Sequence, residues 1–391
     1  MKNVQKQVPS LMIIIALVGF PQISESIFTP VLPALSANLN VADRTGQLVM
    51  STYFIAFAVG VLFWGKRSDV KGRKPAMLEG LLVYLVGNVG LFFAPNFIVM
   101  IFFRLIQSFG ASVGSVVTQT IMRESFSGSK GAKVFANVGA ALALSPAIGP
   151  LLGGYAQTYF GYRSVFGVLI AVAVSLIIYT GARLPETNPA IGVKGPKISL
   201  IAVVRRLFTD RNVLAYGLLI SGINGILFSF YAEAPFIFID HFRFSPVQYG
   251  IIGIIIALSS IIGAIMVNKL VLIWSPTKII KLGLIFSLFG GLFMFLTVLQ
   301  DSVIGFITGT FIVFLGLYTV LPLSLNLALV GYEKIIGVAS GIFSFAYYLV
   351  ISFLTYLISV FHTGWVGILP IYIFIVVGIM TLVYWLRFNN Q

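Results

Sequence analysis

Cysteine is absent from the chain, histidine occurs twice, and charged side chains make up only 9% of its 391 residues. The lack of cysteine removes disulfide frameworks, thiol catalysis and thiolate metal sites. His241 and His362 have no carboxylate cluster close to them in the sequence, so no metal centre, cofactor or metal-dependent enzyme is expected. A soluble globular protein carries roughly 25% charged residues to keep its surface wet, and a disordered chain lacks apolar content. This chain is 59% hydrophobic with a mean hydropathy of +1.03, so both classes fall and the bilayer becomes the expected solvent. A cleavable leader is not expected either: Lys2 and Lys6 precede an apolar segment that runs too long and has no small-residue cleavage site.

What is present is 39 Gly, 35 Phe and a series of long apolar runs. One crossing takes roughly 20 apolar residues, or about 30 to 35 with its connection, so the length accommodates about twelve helices. Six runs fall between positions 11 and 183 and six more between 213 and 387. The expected fold is an all-α membrane protein of twelve transmembrane helices in two pseudo-symmetric six-helix bundles, residues 1–183 and 213–391, joined by a cytoplasmic linker over 184–212. The net charge of +14 is read against this topology. With a cytoplasmic N-terminus, only Arg44, Arg163 and Arg243 of the 25 Lys and Arg residues lie on the outer side, and only Arg104 inside a span. That asymmetry follows the positive-inside rule, places both termini in the cytoplasm and removes the case for nucleic-acid binding. The linker holds Pro185, Pro189, Gly192, Gly195 and Pro196, then Lys197, Arg205, Arg206 and Arg211. Its part from 198 to 208 reads as an amphipathic helix on the anionic leaflet or as a loop. Pro30 falls on Pro235, and Gly65-Lys66 on Asn268-Lys269, when the halves are overlaid, a weak echo that agrees with a duplicated unit.

The loop after the second run carries Gly65, Asp69, Gly72, Arg73 and Lys74 in the spacing G-x-x-x-D-x-x-G-R-K. Here the chain resembles the major facilitator superfamily. Gly72 suits a tight turn between antiparallel helices, and Asp69 suits a helix cap or a basic partner. The five positive charges there can be plain topology determinants. The functional alternative is a conformational gate, a charge clamp between the two halves that opens in each cycle. The fourth run contains Arg104, Gln107, Ser108, Gly110 and Ala111, similar to the family's R-x-x-Q-G-x-G-A, with Ser108 where the first Gly is usual. The fifth contains Pro146, Gly149, Pro150, Gly153 and Gly154, similar to the G-P-x-x-G-G motif of proton-exchanging exporters, with Ala136 and Ser145 where glycines are usual. Packing explains that stretch better than substrate contact does. Taken with Leu184-Pro185-Glu186-Thr187 and Ala232-Glu233-Ala234-Pro235, the chain is similar to the twelve-helix drug/proton antiporters, nearest the Bcr/CflA and MdfA groups. The resemblance implies a transporter of the bacterial inner (plasma) membrane, working as a monomer and taking small lipophilic molecules as substrate in exchange for protons.

Most of the eleven acidic residues sit in loops or at helix ends. Glu79 lies about a turn inside the third helix and reads as a structural carboxylate near the interface. Glu25 and Glu233 lie deeper. A charge at mid-bilayer costs at least about 2.5 kcal/mol, so Glu25 should face a watery cavity or be protonated. Gln22, Glu25 and Thr29 share one helix face. Related exporters often place an acid four residues before the proline of the first helix, where this chain has Ser26; Glu25 is one residue, about 100°, away. Arg104 needs backbone carbonyls or a carboxylate as partner. Proton coupling is therefore expected at Glu25, Arg104 and Glu233. Glu233 is also a candidate for binding a cationic substrate or for lining an outer vestibule. Substrate contact is expected at Glu25, Tyr53, Phe57, Gln107, Tyr231, Glu233, Phe236, Phe343 and Tyr347, since a broad apolar cavity with few polar anchors suits varied lipophilic ligands. The competing readings are a dedicated exporter of one metabolite, such as a siderophore or nucleoside, and a facilitator without coupling.

Overall fold

The computed structural model describes residues 8–126, 128–188 and 199–388. Among these, twelve helices are long and apolar enough to cross a membrane. In the first half they are α1 (Leu11–Asn38), α2 (Asp43–Lys71), α3 (Arg73–Phe93), α4 (Phe97–Ser125), α5 (Lys133–Phe160) and α6 (Ser164–Arg183). The second half holds α7 (Arg211–His241), α8 (Pro246–Leu270), α9 (Pro276–Val298), α10 (Val303–Leu327), α11 (Ile336–Phe361) and α12 (Ile368–Phe388). Lys2, Lys6, Pro189, Gly192, Gly195, Pro196 and Lys197 lie outside the described residues. We name the end of the molecule that carries the Gly65–Pro75 loop the basic end, and the opposite one the far end.

Prolines break the two helices that the sequence overlay pairs. In α1 the regular helix stops at Ser26 and resumes at Leu32 after a tight turn over Thr29–Val31. Pro30 has no N–H to give the Ser26 carbonyl; the Thr29 hydroxyl donates to that carbonyl instead, at 2.9 Å. In α7 the chain passes Pro235 and then widens into a π-helical turn over Phe236–His241, closed by the Phe242 N–H on the Ile237 carbonyl at 2.9 Å. Both irregularities fall in the same part of their halves. Each leaves polar backbone inside the protein, where only buried surroundings tolerate it.

The halves meet along two seams, α5 on α8 and α2 on α11. In the first, Gly149 and Gly153 leave room for Ser26, Ile27 and Pro30 of α1, while Gly154 lies against the backbone of Pro246 in α8. Gly250 and Gly253 of α8 return the contact against the backbones of Pro150 and Pro146. The proline–glycine motif is therefore a packing device that lets three backbones approach. In the second seam the Ser352 hydroxyl donates to the Ser51 carbonyl at 2.8 Å. Towards the basic end the seams thin out: a side chain at Gly139 or Gly337 would meet nothing within 4 Å.

At the basic end Gly72 adopts φ 101°, a left-handed conformation that a β-carbon would strain. Arg73 Nη1 then reaches Asp69 at 2.6 Å and the Ser68 hydroxyl at 2.8 Å, and Nη2 reaches Glu124 on α4 at 2.6 Å. The start of α3 is capped by Glu186, which accepts from the Arg73 and Lys74 N–H groups at 2.9 and 3.1 Å, whereas Asp69 pairs with Arg73. The described partners of this cluster all lie in the first half, where the ends of α2, α3, α4 and α6 converge. Lys74 donates to the Gly181 carbonyl of α6 at 2.8 Å. Glu79 is held by Arg67 at 2.7 Å and Lys71 at 3.3 Å, as a structural carboxylate.

Within the linker, residues 200–209 form a helix (Leu200–Thr209) capped by Ser199. Val203 and Leu207 pack on Tyr332 and Ala339, while Leu200, Ile201, Val204 and Phe208 remain exposed on the opposite face.

Two stability outcomes follow from this packing. Gly153→Val drives a branched side chain into the Ile27 carbonyl and should cost about 1–3 kcal/mol, read as a lower unfolding temperature of the detergent-purified protein; Gly139→Val should leave that temperature nearly unchanged. Glu124 is 19% exposed and Asp69 67%, so Glu124→Ala should lower the unfolding temperature more than Asp69→Ala; equal effects would contradict the pairing.

Candidate functional site

Arg104 on α4 has no solvent-accessible surface at all. Its guanidinium lies between two rings, Phe28 of α1 at 3.9 Å and Tyr53 of α2 at 4.3 Å from the ring centroids. Nε donates to the Val49 carbonyl at 3.3 Å, and Nη1 donates to the Gln107 amide oxygen and, at 3.5 Å, to the Ser24 carbonyl. Gln107 passes the chain on to the Asn88 amide oxygen, and Asn88 donates to the Tyr84 carbonyl at 2.8 Å. A cation taken out of water is affordable here because its positive plane faces two π-systems while its edges reach oxygen. One of the expected partner types is present, backbone carbonyls; Nη2 has no hydrogen-bond partner among the described residues.

Glu25 is buried, 6% exposed, and adjoins Ser24, whose carbonyl receives Arg104. Among the described residues no hydrogen bond or ion pair holds its carboxyl group. The 100° offset noted in the sequence has a visible result. Ser26 turns towards Gly149 and donates to the Gln22 carbonyl at 2.8 Å, while Glu25 lies within electrostatic reach of Arg104.

Around this pair the structure assembles aromatic rings from both halves. Tyr53 stacks on Phe57 at 5.6 Å, Phe57 meets Tyr348 at 4.8 Å, and Tyr347 lies 4.5 Å from Tyr348 and 5.7 Å from Phe343. Phe54 bridges to Phe228 at 4.3 Å, which in turn lies 5.9 Å from Tyr231. Tyr231 is buried and its hydroxyl has no partner among the described residues. Tyr53, Phe57, Tyr231, Phe343 and Tyr347 are therefore brought together, with Phe54 as a link that the sequence did not single out. Gln107 belongs to the Arg104 relay, fully buried and engaged on both sides of its amide.

Glu233 and Phe236 stand elsewhere. Glu233, 1% exposed, accepts from the Gln47 amide at 2.7 Å and faces His362 at 2.9 Å; Phe236 lies 5.2 Å from the His362 ring. They line a far-end cavity of about 250 Å³ together with Asp43, Asp240 and His241. Both histidines meet carboxylates that are remote in sequence: His362 meets Glu233, and His241 meets Asp301 at 2.7 Å. Gln47, Asn88 and His362 gave no sequence signal, because their partners come from other helices and no local spacing encodes the encounter. Among the described residues no group of His, Asp or Glu has the arrangement of a metal site.

Comparison with known proteins accords with this architecture. A family profile described as Major Facilitator Superfamily matches residues 14–355. An uncharacterized transporter of Rickettsia bellii (strain RML369-C) is 32% identical over 378 residues, covering 94% of this chain and 93% of the relative. A chloramphenicol resistance protein of Pseudomonas aeruginosa is 27% identical over 320 residues, covering 81% of this chain and 75% of the relative. The fold matches the partially occluded inward-open xylose transporter XylE of E. coli with a TM-score of 0.74 at 13% identity, over 97% of this chain and 96% of that one. Twelve spans, the two proline-broken helices and a family match across nearly the whole sequence lead to one conclusion: the chain is a multi-pass membrane transporter, not an enzyme, and belongs to the Major Facilitator Superfamily.

Proposed function

We propose that the protein is a proton-coupled exporter of small lipophilic compounds, exchanging them for protons by alternating access. The observation that carries this reading is Glu25, a buried carboxyl group without a described partner beside a fixed guanidinium, at an aromatic wall contributed by both halves. Neutral, it is tolerated next to apolar rings; ionised, it gains from the Arg104 charge and its unfilled Nη2 donor. Loading and releasing one proton therefore changes what α1 and α4 hold in common, and differential binding of substrate to the two protonation states supplies the coupling. The rings of Tyr53, Phe57, Tyr231, Phe343 and Tyr347 offer apolar surface with few polar anchors, which suits ligands of varied shape. The name of the Pseudomonas relative points the same way.

In this reading the segments 1–183 and 213–391 rock about the α5–α8 seam, with 184–212 as their tether, and the contacts gathered at the far end describe a state open towards the basic end. By the positive-inside rule, that end and both termini lie, in this reading, on the cytoplasmic side of a bacterial plasma membrane. The protein works as a monomer. The Arg73 cluster keeps the basic ends of α2, α3, α4 and α6 in register as the halves separate, so Gly65, Asp69, Gly72, Arg73 and Lys74 act on the gate through the first half alone.

Proteoliposomes with an imposed pH gradient test the coupling. Substrate should accumulate only while the gradient lasts, and Glu25→Gln should abolish that dependence; uphill transport surviving in Glu25→Gln would remove Glu25 from the proton role. Arg104→Lys keeps the charge but loses the planar fork between Phe28 and Tyr53, and should reduce coupled transport by about tenfold or more; parent-like rates would show that charge alone suffices. A growth panel of structurally unrelated drugs in an efflux-deficient host should show resistance to several classes, whereas protection against one class alone would indicate a dedicated exporter.

A further inference from the structure

Gln47, Glu233 and His362 come from three parts of the chain and meet at the far end of the seam. Gln47 lies in α2 of the first half, Glu233 in α7 and His362 just after α11 of the second. The Gln47 amide donates to Glu233 Oε2 at 2.7 Å, and His362 Nδ1 stands 2.9 Å from both carboxylate oxygens. With Nδ1 donating to that carboxylate, the proton on Nε2 decides the charge of the ring. Gln47 Oε1 is buried without a partner among the described residues, and Nε2 also lies 3.1 Å from His362 Nδ1, so one amide group of the first half meets both Glu233 and His362 of the second at this point. Such a tie depends on its electrostatic surroundings.

Those surroundings are acidic on both sides. Asp43 of α2 belongs to the first half; Glu233 and Asp240 of α7 belong to the second, and all three line the same cavity as His362 and His241. His241 is occupied by Asp301 at 2.7 Å, and Arg243 acts on Asp240. His362 is the imidazole placed between the carboxylates of the two halves. We propose that Gln47, Glu233, His362 and Asp43 form a proton-operated latch: a charged His362 holds the far end shut, and its neutral form leaves Asp43 facing Glu233 and Asp240 across the seam.

The strength of the latch follows from charge. Burial pulls the His362 imidazole down, but the hydrogen bond and charge of Glu233, with Asp43 and Asp240, outweigh it and leave the ring above the ordinary histidine value. A group raised in this way contributes fully at pH below its ordinary value, about 6.5, and its contribution fades as the pH climbs through the raised value. Acid on the far side therefore favours the sealed far end. Deprotonation removes the attraction to Asp43 and leaves like charges opposed, while the Nδ1–H bond to Glu233 persists within the second half. This latch operates without Glu25 and without substrate, so it stands or falls separately from the proposed transport reaction.

The chain's lack of cysteine makes a direct test available. Spin labels at Asn38→Cys and Thr363→Cys, both exposed at the far end, report the separation of the halves in lipid nanodiscs without substrate. Pulsed electron–electron distance measurement should show the short-distance population prevailing at pH 5, with its ratio to the long-distance population falling by about tenfold towards pH 9. His362→Gln should flatten that dependence, and Asp43→Asn, a surface change that leaves folding intact, should keep the far end sealed at pH 9. A pH dependence that survives His362→Gln, a distance distribution that does not change with pH, or an Asp43→Asn protein that still separates at pH 9 would each overturn the latch.

Discussion

A charge inside a bilayer must be given partners by the protein, and the burial of Arg104 shows how that demand organises the first half. Satisfying its guanidinium takes a ring from α1, a ring from α2, carbonyls from both and an amide from α4 itself. Four helices are thereby committed to one arrangement, since α3 joins through Asn88. A hydrophobic core alone would not set this register, because in lipid apolar side chains gain little by leaving one apolar neighbour for another. Glu25 sits beside this rigid assembly as the group with unfilled capacity. In the proposed mechanism, a fixed positive charge near a carboxyl group that ionises converts protonation into a change of helix contacts.

Close backbone approach has a complementary role. The glycines of α5 and α8 let three helices touch at the level of their backbones, and the contact crosses between the halves. Shallow, apolar and without hydrogen-bond obligations along most of its length, such a seam can shift without stranding polar groups. Among the described residues the polar contacts between halves are few and lie towards the far end, at Ser352 with Ser51 and at Gln47 with Glu233 and His362. A boundary of this kind concentrates its specificity in a handful of hydrogen bonds, which is what gives the proposed latch its leverage.

The architecture was legible because membrane helices are set by length and hydropathy, which are local properties; the twelve spans could be read off the chain. Arg104 and Glu25 were legible for the same reason, since a charge in an apolar run is conspicuous. Glu233 was conspicuous too, but its company was not: Gln47 is 186 positions away and His362 129, and nothing near either residue announces the meeting. The Gly65–Pro75 loop shows a different limit. Its spacing identified Arg73, but Glu124, which the guanidinium meets, and Glu186, which accepts from the Arg73 backbone N–H, lie far from the loop in sequence, and no local spacing encodes those encounters.

The central claim is that Glu25 gains and loses a proton inside the protein. Infrared difference spectroscopy of the protein in lipid, titrated across the neutral range, tests it most directly. The proposed mechanism predicts a protonated-carboxyl C=O band that disappears as the pH rises and is missing from Glu25→Gln. A band that persists in Glu25→Gln, or a parent protein in which no carboxyl group changes state across that range, would contradict it.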